Sequence, residues 1–198
     1  MEKLLKSITI EEFNSIKKIS ITNIQEGFNN YTHGILDVHD SSLSINEQDE
    51  SSRLIYNNNL KYENRFINFM KKIYTINKKK PIIVDFYLNN IDNEGILRVL
   101  SHLEHDDKLT FINHVRNIKT HSVYFLIEDK ELIPFMTRLS TRELHFCTFH
   151  FTEKPITIWG NYNLSFPVFF KNNEDVNFYD SIARKNDLFI RDINFLNT

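Results

Sequence analysis

The sequence predicts an α/β or α+β fold in which one domain, residues 1–198, is built on a mixed, partly parallel sheet with helices packed on it and an antiparallel hairpin and edge near the carboxyl end. Three observations carry this expectation. Residues 82–88, 123–127 and 145–151 are short, nearly continuous apolar runs, the pattern of strands covered on both faces. Between them lie segments whose apolar residues recur at helical spacing. Beyond residue 151 the runs shorten and turn residues divide them, as in a hairpin return. The order strand, helix, strand, helix, strand implies right-handed crossovers between parallel strands.

Taken in order, residues 10–19 read as a short helix and 21–39 as an extended stretch. Residues 40–52 hold serines, acids and Asn46 with little apolar content, the composition of a surface loop. From 60 to 76, Tyr62, Phe66, Phe69, Met70 and Ile73 make one buried helical stripe. Lys78, Lys79 and Lys80 suit the negative end of that helix, and Pro81 stops it. The run 82–88 contains a lone acid, Asp85. Helices follow over 94–103 and 107–118, the second with Leu109, Ile112 and Val115 inward. Asp129 caps a helix carrying Leu132, Ile133, Met136 and Leu139, with Pro134 in its first turns or marking a later start. Residues 152–155 turn the chain from the third strand into 156–159. The run 165–170 is expected at a sheet edge, because Pro167 cannot donate to a ladder. A helix over 176–184 and a strand over 188–193 complete the chain.

Composition excludes several functions. There are four glycines, Gly27, Gly34, Gly95 and Gly160, too scattered for a dinucleotide fingerprint or a phosphate-cradling loop, so no dinucleotide cofactor is expected. Ala183 is the lone alanine while Asn, Ile, Lys and Phe abound, a bias of AT-rich coding that is associated with phage, plasmid or defence contexts. A net charge of −2 supplies no field to attract nucleic acid, so RNA is expected only as a substrate. Cys147 is the lone cysteine, which removes intramolecular disulfides and multi-cysteine zinc sites and suits a reducing cytoplasm. No run approaches the ~20 apolar residues of a membrane span, and no amino-terminal leader is visible.

Four constellations could carry chemistry. If the strands are parallel neighbours, Asn89, Asn90, Asp92, Glu128, Asp129, Thr152 and Glu153 share a crevice at their carboxyl ends, and Asp92, Glu128, Asp129 and Glu153 could hold Mg²⁺ or Mn²⁺ for phosphoryl chemistry. The same acids serve equally as helix caps and solvated turn residues. In 101–107, His102 and His105 stand one helical turn apart with Asp106 close by, a donor set able to ligate a metal. The pairs His39-Asp40 and His105-Asp106 resemble the paired residues of HD-type metal phosphohydrolases, a helical family. On a strand, His145 and Cys147 share a face with Phe149 while His150 points the other way, so the three cannot converge, and Cys147 fits a small buried apolar position.

Arg116-Asn117-Ile118-Lys119-Thr120-His121 resembles the arginine, polar residue, three spacers, histidine pattern of HEPN-type ribonucleases. That resemblance implies a metal-independent ribonuclease in which Arg116 stabilises charge on phosphate and His121 acts as acid or base. It covers six residues; the family is a helical bundle, whereas here a β-type run begins directly after His121. The plain alternative makes Arg116 an exposed helix residue and His121 a helix-terminal cation.

Aromatic residues concentrate from 146 to 170, and Trp159, Tyr162, Phe166 and Phe169 are expected to offer an exposed surface for a protein partner or a second copy. The leading expectation is a small cytoplasmic binding or regulatory protein acting through protein contacts, with no resident cofactor. The HEPN-like ribonuclease and a divalent-metal phosphoesterase are the alternatives.

Overall fold

Eight strands form one sheet in the order β1-β4-β3-β5-β6-β7-β2-β8, and every neighbouring pair is antiparallel. A computed structural model of the chain describes residues 4–41, 55–87 and 91–196, with side chains of the long helix described from Leu60 onward. Of the loop expected over 40–52, only Asp40 and Ser41 fall among them; Leu88, Asn89 and Asn90 lie outside. In chain order the elements are β1 (Lys6–Ser7), α1 (Ile10–Ile16), α2 (Ile24–Asn30), β2 (Thr32–Asp37), α3 (Ile55–Asn77), β3 (Ile82–Asp85), α4 (Asn93–His102), α5 (His105–Asn117), β4 (Tyr124–Leu126), α6 (Leu132–Thr141), β5 (Thr148–Phe151), β6 (Ile156–Trp159), β7 (Phe166–Phe170), α7 (Asp175–Arg184) and β8 (Phe189–Asn194).

The three central runs do lie side by side, as β4-β3-β5, but not as parallel neighbours. Two helices, α4 and α5, separate β3 from β4; a chain that runs out along one helix and back along the next re-enters the sheet where it left, so β4 pairs antiparallel with β3. One helix, α6, separates β4 from β5, and these two strands do point the same way; β3 stands between them and pairs antiparallel with each.

The strand expected at an edge is interior. β7 lies between β6 and β2, with Pro167 opposite Ile35, and its ladder with β6 covers only 168–170, so the missing amide falls beyond that ladder. The edges are β1 and β8. β8 is blunted: Asp192 takes φ 51° at a bulge against β2, and Asp180 of α7 accepts the amide of Ile190 at 3.3 Å.

Alternation along the strands sorts the core onto two faces. Ile82, Val84, Phe86, Phe125, Phe149, Phe151, Ile156, Ile158, Val168 and Phe170 pack with α3 and α6 through Phe66, Phe69, Met70, Ile73, Ile133, Met136 and Leu139. On the opposite face, Ile83 meets Ile8 and Phe13, while Phe169 meets Ile19 and Ile21. Residues 21–39, expected to be extended throughout, supply a helix to this layer. Asn23 caps α2 by accepting from the amide of Glu26, whose carboxylate accepts from the amide and hydroxyl of Thr22 at 2.6 and 2.7 Å. A side chain at Gly27 would place its Cβ 2.5 Å from the Phe169 ring, so α2 sits directly on β7 because this residue has none.

Helix α5 is rotated from its expected setting: Asp107, Phe111 and His114 are buried, and Leu109 is 50% exposed. Pro134 occupies the first turn of α6, where its missing amide would have no helical acceptor.

Candidate functional site

Antiparallel pairing disperses the expected acid crevice, because neighbouring strands of the sheet end on opposite sides. Glu128, Asp129 and Glu153 follow β4 and β5 at one end, and Asp92 lies beyond the other end of β3. Each has a local task. Asp92 caps α4 through Gly95 at 2.7 Å, Glu128 pairs with Lys6 at 3.5 Å, Asp129 accepts from the Glu131 amide at 2.9 Å, and Glu153 accepts from the Lys79 amide at 3.2 Å. His102 closes α4 and His105 opens α5, so the two are not on one helix face. Among the described residues, no three His, Cys, Asp or Glu side chains come together as a metal ion would require.

Arg116 is exposed in the last turn of α5, which ends at Asn117, and His121 lies beyond it in the segment leading to β4. The helical bundle implied by the HEPN resemblance is replaced by an eight-stranded sheet. His121 does line a cleft of about 510 Å³, between residues 7–12 and 120–124, with Tyr124 in its wall and Glu11 and Glu12 at its margin. Two of its serine hydroxyls are engaged within the fold: Ser7 donates to Thr120 at 3.1 Å, and Ser122 donates to the carbonyl of Ile8.

The expected aromatic surface divides in two. Phe166 and Phe169 are 3% and 0% exposed, because β7 is interior and both of its faces are covered, so these two belong to the core. Tyr162 is 61% exposed and Trp159 half-buried. Both stand at the end of the sheet where β3 and β6 finish and β5 begins. Tyr87, 40% exposed, follows β3 there, and Phe146 precedes β5 with its ring edge-on to Tyr162 at 4.6 Å. Tyr87, Phe146, Trp159 and Tyr162 thus stand at one end of the sheet as an aromatic rim, in which Phe146 touches Tyr162 and Trp159 packs against Ile19, Ile21 and Phe169.

Beneath this rim lies Asp85, the acid embedded in the apolar run of β3. It shares a sheet face with Ile83, stands opposite Tyr124 of β4, and is 8% exposed. Thr148 donates its amide to Oδ1 at 2.5 Å. Burial raises the carboxyl pKa to about 7, against the pull of the Thr148 hydrogen bonds. Among the described residues, no lysine, arginine or histidine forms an ion pair with it. The phenols of Tyr87 and Tyr124 are raised by burial and by the negative charge of Asp85. The Phe13 ring of α1 stacks on Tyr124 at 3.8 Å and fixes that wall.

The neighbouring histidines and cysteine are held by burial in their neutral forms near pH 7. His145 accepts the Tyr87 amide at Nε2 (3.2 Å), and burial, with Arg98 nearby, lowers its pKa to about 4. His150 meets Thr157 at 3.3 Å and is lowered to about 3 by burial and then by Lys17. Cys147 is buried with its thiol pushed well up by burial, and it packs in the larger core beside Phe149, as the alternation implies.

No family model, curated protein or solved structure matches this chain. Asp85 and Tyr87 belong to none of the candidate sequence motifs. Their signal is a single acid in an otherwise apolar strand, which has no cheap reason to be there.

Proposed function

We propose that this chain is a small cytoplasmic binding or regulatory protein that engages a protein partner, a second copy of itself included, through the aromatic rim of Tyr87, Phe146, Trp159 and Tyr162. The observation that carries the reading is the exposure of Tyr162 (61%) and Tyr87 (40%) at the same end of the sheet, beside two half-buried aromatic residues. Tyrosine and tryptophan bring large rigid area and a polar tip, the combination favoured where two proteins meet. The reading is close to the expectation from sequence, with the surface moved from β7 to the sheet end and with Tyr162 and Trp159 kept. No helix among the described residues is long and apolar enough to cross a membrane.

Sedimentation of the wild type over a concentration series, alone and with proteins co-purifying from its native source, tests this reading against Tyr162→Ala and Tyr87→Ala. Each substitution is expected to weaken association by about 2 kcal/mol, roughly thirtyfold, as loss of a contact anchor does. Both should leave the melting temperature close to wild type, because both side chains are substantially exposed. Unchanged association in both variants contradicts the proposal.

A further inference from the structure

We propose that the Asp85 carboxylate, walled by Tyr87 and Tyr124, receives the primary ammonium group of a lysine side chain carried by the partner. The inference rests on the rim being the contact surface and names what that surface recognises. Three observations lead to it. Asp85 is over nine-tenths buried yet no described cation pairs with it, while the other buried carboxylates Asp37, Glu63, Asp107 and Asp175 each face an arginine or lysine. A buried carboxylate that has hydrogen bonds but no counter-charge is costly to ionise, and a cation arriving with a ligand removes that cost. Tyr124 stands across from Asp85 in register, Tyr87 follows two residues beyond it, and both phenols feel the carboxylate charge; aromatic rings so close offer the electron-rich surroundings that suit a desolvated cation. The Thr148 amide occupies Oδ1 and the Thr148 side chain also hydrogen-bonds the carboxylate, so a compact point charge that needs one remaining lone pair fits better than a guanidinium fork, which uses both carboxylate oxygens.

The groups facing Asp85 permit this occupant. Tyr87 lies on its own segment, Tyr124 on β4, and Thr148 and Cys147 at the start of β5; Cys147, like both phenols, feels the carboxylate charge. His145 and His150 are neutral near pH 7 because burial lowers both. Lys17 of the segment after α1 is directed at the Phe13 ring, 5.1 Å from its centre. With the carboxyl pKa near 7, proton and ammonium compete for the same oxygens across the physiological range.

The test is an NMR titration of the whole chain with n-butylammonium, with methylguanidinium, and with a short lysine peptide beside its acetyl-lysine form, reading the Tyr87 and Tyr124 ring signals. Saturable shifts are expected from n-butylammonium and the lysine peptide, weaker ones from methylguanidinium, and none from the acetylated peptide. Below pH 7 the affinity should fall by about tenfold per unit, since the carboxylate must first lose its proton. Asp85→Asn keeps an acceptor for the Thr148 amide and should abolish the response while remaining folded. Equal shifts in Asp85→Asn, a response flat with pH in the wild type, or no saturable shift at all overturns the inference. The pH arm needs no variant, so it decides the matter even if Asp85→Asn does not fold. Failure of the rim alone reads differently: ammonium binding persists while Tyr162→Ala leaves association unchanged.

Discussion

The proton on Asp85 is retained by burial, and the consequence for stability has a definite sign. A carboxyl raised from 3.8 to about 7 in the folded chain favours folding most below the unfolded value, and that contribution is lost as pH rises through about 7. His145 and His150 act in the opposite direction. Lowered from 6.5 to about 4 and about 3, they favour folding above 6.5 and lose that contribution as pH falls through their folded values. Urea unfolding of the wild type should therefore show stability falling from about pH 6.5 downward, because the two histidines that take up protons on unfolding outnumber the one carboxyl that releases one, with the loss continuing to about pH 3. Asp85→Asn should become steadily more stable than the wild type from about pH 4 to 7 and keep a constant advantage above; an advantage independent of pH contradicts the assignment. At this scale the sequence is legible where chemistry follows from alternation: Cys147 is buried and His150 turns to the opposite face. The acid sites are not legible, because whether Asp92 and Glu153 meet depends on strand direction, which no local pattern encodes.

Helices α3, α4, α5 and α6 are joined by a buried charge network. Arg142 of the chain just after α6 grips Glu63 of α3 with two bonds of 2.7 and 2.9 Å and donates to the carbonyl of His102 at 2.5 Å. Arg138 reaches Glu63 at 3.4 Å and Asp107 of α5 at 2.7 Å. Replacing Glu63 by Gln leaves Arg142, with its side chain 5% exposed, beside a neutral group, and should cost about 3–5 kcal/mol in urea unfolding. A loss within the error of measurement would show that water enters the network freely. On the other side of the sheet, Gly27→Ala drives a Cβ into the Phe169 ring and should cost about 1–3 kcal/mol, read as a lower melting temperature. Element positions are largely legible, since the stripe 62–73 and the apolar runs survive as α3, β3, β4 and β5. The missed helix α2 had a signal, an asparagine three residues before a glutamate, which also marks α1 as Thr9 and Glu12. The edge assignment of β7 failed because Pro167 reports a missing donor, not a missing neighbour.

At the scale of the molecule, five helices cover one face of an antiparallel sheet and the residues from 8 to 31 cover the other, so the sheet ends are where side chains from several strands meet solvent. One end gathers Tyr87, Phe146, Trp159 and Tyr162 above Asp85; the other holds Glu128, Glu153 and Lys78 to Lys80 in local bonds and open solvent. Neighbourhood of the central strands was readable from apolar runs, but parallelism was not, because two consecutive helices reverse the direction that one would set. The rim as the place of contact is the central claim. Site-directed photo-crosslinking tests it directly, with the label placed at Tyr162 and, as a control, at Phe178, which is 38% exposed near the Lys154 turn at the opposite end. The account predicts a discrete adduct, to a partner or to a second copy, from position 162 and none from position 178; an adduct from position 178 with none from 162 would contradict it.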